Sequence, residues 1–254
     1  MTQDPETKDY LIVTKYAEKG DLRRYLKYNP KISWKEKLEL LEDIVHDSLW
    51  RLNSSEIFHR DLHSGNILIS GTGTLLRKTK EYVTDFGLSC PANGTSSDIY
   101  GVLPYMAPEV LQGKPCTAKA DIYSFGVMMC EMSTCEPPYP DRAHDVTLAV
   151  DIIRGLRPKI AEGTPQCYVN LVNLCLDADP RKRPHPKALF MKMRGFHGSS
   201  EFLNADKLSK NEKRDVKQHP DELSTSKILI DIINVCSGKM TPDINDSSQS
   251  DCKI

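Results

Sequence analysis

Apolar and polar positions along this 254-residue chain follow two periods, and they divide it into elements. Tyr10 to Thr14 (YLIVT) is a β-branched, apolar run that predicts a short strand, ending at the polar, Gly-containing KYAEKGD. Asp21 opens LRRYLKY, one or two helical turns stopped by Asn29-Pro30. Ser33 and Glu36 stand at capping-box spacing, with Ser33 able to accept an early amide and Glu36 able to reach back. The helix they open runs to about Leu52, with Leu38, Leu41, Val45, Leu49 and Leu52 on one stripe. IFHRD and NILIS read as short strands around a tight polar loop, and EYVTDFG as a third. The Gly/Ser/Asn/Thr-rich stretch SCPANGTSSDIYG that follows matches no regular element.

Farther on, the period changes to helical throughout. DIYSFGVMMCEMST, from Asp121 to about Thr134, is apolar nearly all round. That pattern belongs to a helix buried on every side, with its Met and Cys as core packing. LAVDIIRGL and YVNLVNLCL predict further helices, and DPRKRPHPKALF a Pro-rich turn before another. After about Gly195 the chain turns to Ser, Lys, Asp and Asn, with one apolar island, KILIDIINV. This part is expected to be a loosely ordered tail carrying a short docking segment. The predicted fold class is mainly α with a few short β-strands.

Composition narrows the picture only a little. Hydrophobic residues are 39% and charged residues 27%, ordinary for a globular protein. Lys plus Arg number 34 against 35 Asp plus Glu, so bulk charge draws the chain toward neither nucleic acid nor membrane. No apolar run approaches the roughly 20 residues that span a bilayer, and MTQDPETKDY is too polar for a secretory signal. The 8 Cys form no CxxC pair and mostly sit in apolar runs, which implies reduced, buried thiols and a cytoplasmic or nuclear location.

The chemistry gathers in FHRDLHSGNIL, Phe58 to Leu68. Its pattern HRDxxxxN arises by chance about once in 10^5 positions. DFG at Asp85 and APE at Ala107–Glu109 follow in order, with the Ser/Thr-rich loop between them. On these motifs, from about Tyr10 to Phe190, the sequence resembles the eukaryotic protein kinases and is most similar to their tyrosine-kinase-like group. The resemblance implies hinge plus catalytic-lobe architecture: residues 1–20 as a remnant of the small lobe and hinge, 21–195 as the helical lobe, and 196–254 as the tail.

It also implies roles, with ATP and Mg²⁺ as cofactors and a protein substrate or signalling partner. Asp61 would accept the proton of the substrate hydroxyl, and Asn66 and Asp85 would hold the metal, since a hard cation wants oxygen ligands. His63 completes the candidate catalytic set. Arg60 resembles the arginine that receives a phosphorylated activation loop, for which Ser89, Thr95, Ser96, Ser97 and Tyr100 are candidate sites. Glu109 and Arg183 resemble a buried ion pair, Asp121 the acid that ties down the catalytic loop, and His59 and Phe86 the packing residues that position Asp85. IVTKYAEKGDL is similar to a hinge. There Thr14 would guard the deep pocket, Ala17 offer backbone to adenine, Asp21 meet a ribose hydroxyl, and Leu68 pack beneath the base. Asp21 reads equally well as the cap of LRRYL.

The pattern breaks in three places. His63 stands where Ser/Thr kinases carry a Lys on the transferring phosphate, and it is expected to be a solvated loop residue rather than a phosphate ligand. Val102 stands where those kinases have Thr. Only about 13 residues precede the hinge, too few for a glycine-rich flap, its Lys and the helix Glu. Gly71-Thr72-Gly73 reads as a β-turn. Two functions follow as expectations: a kinase catalytic region with impaired autonomous activity, Ser/Thr-directed rather than Tyr-directed, or a non-catalytic binding module.

Overall fold

Among the described residues the strands pair in twos, and most of the core is helical. The computed structural model describes residues 2–71, 79–91, 100–209, 227–228 and 236. At the start, β1 (Thr2–Gln3) pairs antiparallel with β2 (Tyr10–Leu11). The strand expected over Tyr10–Thr14 is therefore two residues long, and Ile12 and Val13 beyond it are 75% and 80% exposed. A strand needs a partner for its N–H and C=O groups, and Thr2–Gln3 reaches only its first two residues.

α1 (Leu22–Tyr28) begins where Asp21 accepts the Arg24 N–H at 2.9 Å. α2 (Trp34–Ile44) begins at Ser33, whose hydroxyl accepts the Glu36 N–H at 3.2 Å. The reciprocal half of the expected capping box does not form. The Glu36 carboxylate accepts instead from the Tyr25 hydroxyl at 2.5 Å, which ties α1 to α2. The chain continues helically as expected, but through a wide π-turn over Val45–Trp50 before α3 (Arg51–Ser54). Along this stripe Leu38, Leu41, Val45 and Leu49 are buried, and Leu52 is half-buried.

After α4 (Pro108–Leu111), α5 (Ala118–Thr134) forms the axis of the core. Ile122, Tyr123, Phe125, Val127, Met128 and Met129 are fully shielded, as an all-round apolar helix requires. α6 (Val146–Ile153), α7 (Gln166–Cys175) and α8 (Pro186–Arg194) complete this region. Gly126 sets one close approach: a Cβ there would stand 2.8 Å from Cys175 Cβ and 2.9 Å from Leu176, so only glycine lets α5 touch the end of α7.

The packed region runs past the boundary expected at residue 195. α9 (Ser200–Ser209) buries Phe202 and Ala205. The Phe202 ring lies edge-on to Trp34 with centres 5.5 Å apart, and Asp206 accepts the Trp34 N–H at 2.7 Å. Two apolar positions three apart seat one helical face, and a polar average composition conceals them. Of the island KILIDIINV, β8 (Lys227–Ile228) is described; the rest lies outside the described residues, as do Thr72 and Gly73 of the expected turn. The six described cysteines with described side chains are free thiols. No described helix is long and apolar enough to cross a membrane.

Candidate active site

Two loops meet at the ends of short strands. β3 (Ile57–Phe58) leads into residues 59–66, and β4 (Ile67–Ser70) leads away and pairs with β5 (Lys80–Val83). β5 delivers residues 84–89, and β6 (Cys90–Pro91) returns to pair with β3. The pairing of β3 with β6 and of β4 with β5 therefore holds the two polar loops side by side.

A buried carboxylate fixes the first loop. Asp121 accepts the His59 N–H at 2.8 Å and the Arg60 N–H at 3.0 Å. Arg60 there adopts φ +70°, a left-handed conformation that a non-glycine residue holds only against outside support. Burial lifts the Asp121 carboxyl to about 6, opposed by the two amides and by Arg60. His59 is wholly buried, and its Nε2 lies 3.1 Å from the Thr84 carbonyl oxygen, so that nitrogen donates. Burial pushes its pKa down, outweighing the opposite pull of the Thr84 carbonyl, Asp61 and Asp85.

Asp61 and Asn66 are both buried. The Asn66 amide nitrogen donates to the Asp61 carbonyl at 2.9 Å and reaches Asp61 Oδ2 at 3.4 Å. Its main-chain oxygen accepts both the N–H and the hydroxyl of Thr84, at 2.9 and 3.1 Å. Asp85 comes next, at φ +62°, with an exposed carboxylate whose Oδ1 faces the Gly87 N–H at 3.4 Å. Because the Asn66 nitrogen is committed to Asp61, its carbonyl oxygen is the end available to a cation. Together with the open carboxylate of Asp85 this is a donor set that fits a hard divalent ion.

His63 is not the solvated residue expected. It is 4% exposed, because its own Nδ1 caps the turn Ser64–Asn66 by accepting the Gly65 N–H at 3.0 Å. That tucks the ring under the loop, 5.8 Å from the Tyr105 ring. Beneath it lies an acid inside the run expected to be apolar nearly all round. Glu131, 2% exposed within α5, accepts from Ser64 Oγ at 2.8 Å and from the Tyr105 hydroxyl at 2.6 Å, with Arg23 Nε 3.9 Å away. Burial pushes its pKa up against those partners. The available signal was an acid inside an otherwise apolar run, since a buried charge is kept only where it is paired.

A second buried pair lies farther from the loops. Arg183 forks onto Glu109 with two bonds of 2.7 Å and also donates to the carbonyls of Lys119 and Asp177. Bidentate pairs of this kind fix orientation as well as charge.

A family sequence model, protein tyrosine and serine/threonine kinase, matches residues 2–193. The chain belongs to this family. Among similar proteins, the probable serine/threonine-protein kinase roco8 of Dictyostelium discoideum is 34% identical over 69% of this chain and 10% of its own length. The mitogen-activated protein kinase kinase kinase dlk-1 of Caenorhabditis elegans is 33% identical over 69% of this chain and 18% of its own length. The dual specificity protein kinase zakA of Dictyostelium discoideum is 32% identical over 69% of this chain and 24% of its own length. The chain thus spans a quarter or less of these relatives.

Residues 19–21, the end of the stretch expected to be a hinge, run beside β4. Lys19 N–H donates to Ile69 O at 3.1 Å, Ile69 N–H to Gly20 O at 2.8 Å, and Asp21 bridges to Leu68. Thr14 is exposed, while Ala17, Asp21 and Leu68 are partly covered. One Asp21 oxygen serves the α1 cap, the other role expected for this residue. Phe86, expected as packing, lies tilted at 47° to the His59 ring with centres 5.1 Å apart, yet is 48% exposed. Ser89 is half-buried, its hydroxyl 3.5 Å from the His59 carbonyl. Thr95, Ser96 and Ser97 lie outside the described residues. Tyr100 begins β7 (Tyr100–Gly101), which pairs with β8.

Proposed function

We propose that this chain is the catalytic region of a protein kinase that moves the γ-phosphoryl group of ATP to a protein hydroxyl, Ser or Thr in preference to Tyr. One observation carries the reading. Asn66 binds Asp61 through its side chain and Thr84, the neighbour of Asp85, through its main chain, so a candidate base and two candidate metal ligands form one bonded unit. Phosphoryl transfer asks the protein for alignment and charge neutralisation rather than covalent chemistry. Asp61 would take the proton of the acceptor hydroxyl. Asn66 and Asp85 would hold Mg²⁺, which supplies positive charge to the phosphates when bound. Thr14, Ala17, Asp21 and Leu68 would line the adenosine side, and Arg60 would face a phosphorylated activation segment. The preference for Ser or Thr draws on the similarity to roco8, a probable serine/threonine-protein kinase. The dual specificity name of zakA keeps Tyr in the assay.

For this chain by itself we expect impaired turnover. Tyr16 and Val13 of the hinge are each 80% exposed, and phosphates that stay in water gain less from every charged contact. Losing several kcal/mol in this way lowers a rate by about 10^3 or more. The same open face favours a second reading, a non-catalytic binding module. Incubating the purified chain with MgATP and a library of Ser, Thr and Tyr peptides separates the two. Transfer that vanishes in Asp61→Asn and Asp85→Ala supports the kinase. Silence in the parent chain, with no rise in Tm on adding MgATP, supports the module.

A further inference from the structure

The turn His63–Ser64–Gly65–Asn66 fixes where a buried imidazole keeps its proton. The Gly65 N–H points at His63 Nδ1 from 3.0 Å, which makes Nδ1 an acceptor and leaves the proton of the neutral ring on Nε2. Nε2 is shielded from solvent, has no hydrogen-bond partner, and lies 3.7 Å from Asp61 Oδ2. That is too long for a hydrogen bond but within reach of a dipole acting on a buried carboxylate. A donor buried with no acceptor is costly, and here the charge of Asp61 is the compensation at hand.

Gly65 is part of the arrangement. A Cβ on it would stand 2.9 Å from both Cε1 and Nδ1 of His63, so the bare glycine is what allows the ring to turn its Nε2 edge to Asp61. On the far side, Asp61 Oδ1 lies 3.7 Å from the point where a Cβ on Gly101 would stand, beside the activation segment.

We infer that His63 is a positioning residue for Asp61. Its Nε2–H holds Oδ2 toward the imidazole and so presents Oδ1 to the activation-segment side, where an acceptor hydroxyl would enter. This rests on the reading of Asp61 as the base. It differs from the role implied by family resemblance, a cation on the transferring phosphate, because the ring acts by direction rather than by formal charge. The device is shared between His63 and Gly65, so either substitution should disturb the same carboxylate.

Nitrogen-15 NMR of the full chain labelled at histidine tests the geometry without needing turnover. We expect His63 in the Nε2–H tautomer, with an Nε2–H resonance that shifts in Asp61→Asn while Nδ1 barely moves. Gly65→Ala, which displaces the ring without removing it, should abolish the Nδ1 hydrogen-bond signature. In phosphotransfer, His63→Gln can accept from Gly65 with its oxygen and face Asp61 with its N–H, and should keep kcat within about threefold. His63→Leu and Gly65→Ala should lower kcat about tenfold or more with KM for ATP unchanged, part of the 10²–10⁴ a general base supplies. An Nδ1–H tautomer, or an Nε2–H resonance indifferent to Asp61→Asn, overturns the inference. So does a His63→Gln variant as slow as His63→Leu. Silence toward ATP in every form instead overturns the phosphotransfer reading, and the NMR result then decides the role of His63 alone.

Discussion

The carboxylate of Asp121 accepts the backbone N–H of Arg60 at 3.0 Å, and Arg60 is held there in a left-handed conformation. The same carboxylate accepts the neighbouring amide of His59. One buried acid on the central helix therefore sets the backbone course of the loop that carries Asp61 and Asn66.

Burial raises the Asp121 carboxyl from its ordinary 3.8 to about 6. A raised acid binds more protons folded than unfolded, so its contribution is fully present below about pH 4 and is lost as pH rises through about 6. Asp121→Asn, uncharged at every pH, provides the reference. The stability of the parent chain relative to this variant should fall between pH 4 and 6 by up to about 3 kcal/mol, measured by urea unfolding at each pH. A difference that stays level across that window would sink the assignment.

Glu109 and Arg183 form a fork in which the arginine is wholly buried. Removing one partner strands a charge away from water, so Arg183→Met should cost about 3–5 kcal/mol. Replacing both, as Glu109→Leu with Arg183→Met, should cost less than the two single changes together, since no charge is then left unpaired. A double-mutant cycle by urea denaturation measures the coupling. A coupling near zero would show the fork to be geometry without energetic consequence.

Much of this was legible in the chain, for identifiable reasons. The all-round apolar run from Asp121 is buried on every side because no polar face existed to offer water. The order of the loops followed from the motif spacing. What stayed hidden depended on contacts between distant residues. Glu36 abandoned its capping role because Tyr25, on a different helix, offered it a hydroxyl. His63 is buried because its ring caps its own turn. Glu131 finds Ser64 and Tyr105, residues 67 and 26 positions away, and no local pattern announces such partners.

Past residue 195 the same limitation hid a whole helix. Phe202 is 5% exposed and meets both Trp34 and Phe196. Phe202→Ala should therefore cost about 3–5 kcal/mol, as for other buried Phe truncations. The neighbouring Leu203, 60% exposed, should tolerate Leu203→Ala within about 0.5 kcal/mol. Thermal or urea melting of the two variants checks the pair. Equal effects would mean that α9 does not dock through this face.

β7 pairs antiparallel with β8, far along the chain, with Tyr100 opposite Ile228 and Gly101 opposite Lys227. Gly101 is also the residue whose missing side chain leaves room beside Asp61 Oδ1. A ladder this short is marginal by itself, so its protection of the backbone should depend wholly on the tail. Removing residues 210–254 should raise amide hydrogen exchange at Tyr100–Gly101 by about tenfold or more, some 1.4 kcal/mol of local opening, while α5 remains as protected as before. Ile228→Pro, which deletes one N–H and restricts the backbone, should give an intermediate result. Exchange at Tyr100–Gly101 that is indifferent to both changes would mean the pairing contributes nothing to β7, and that its backbone is held from the side of residues 59–66 alone.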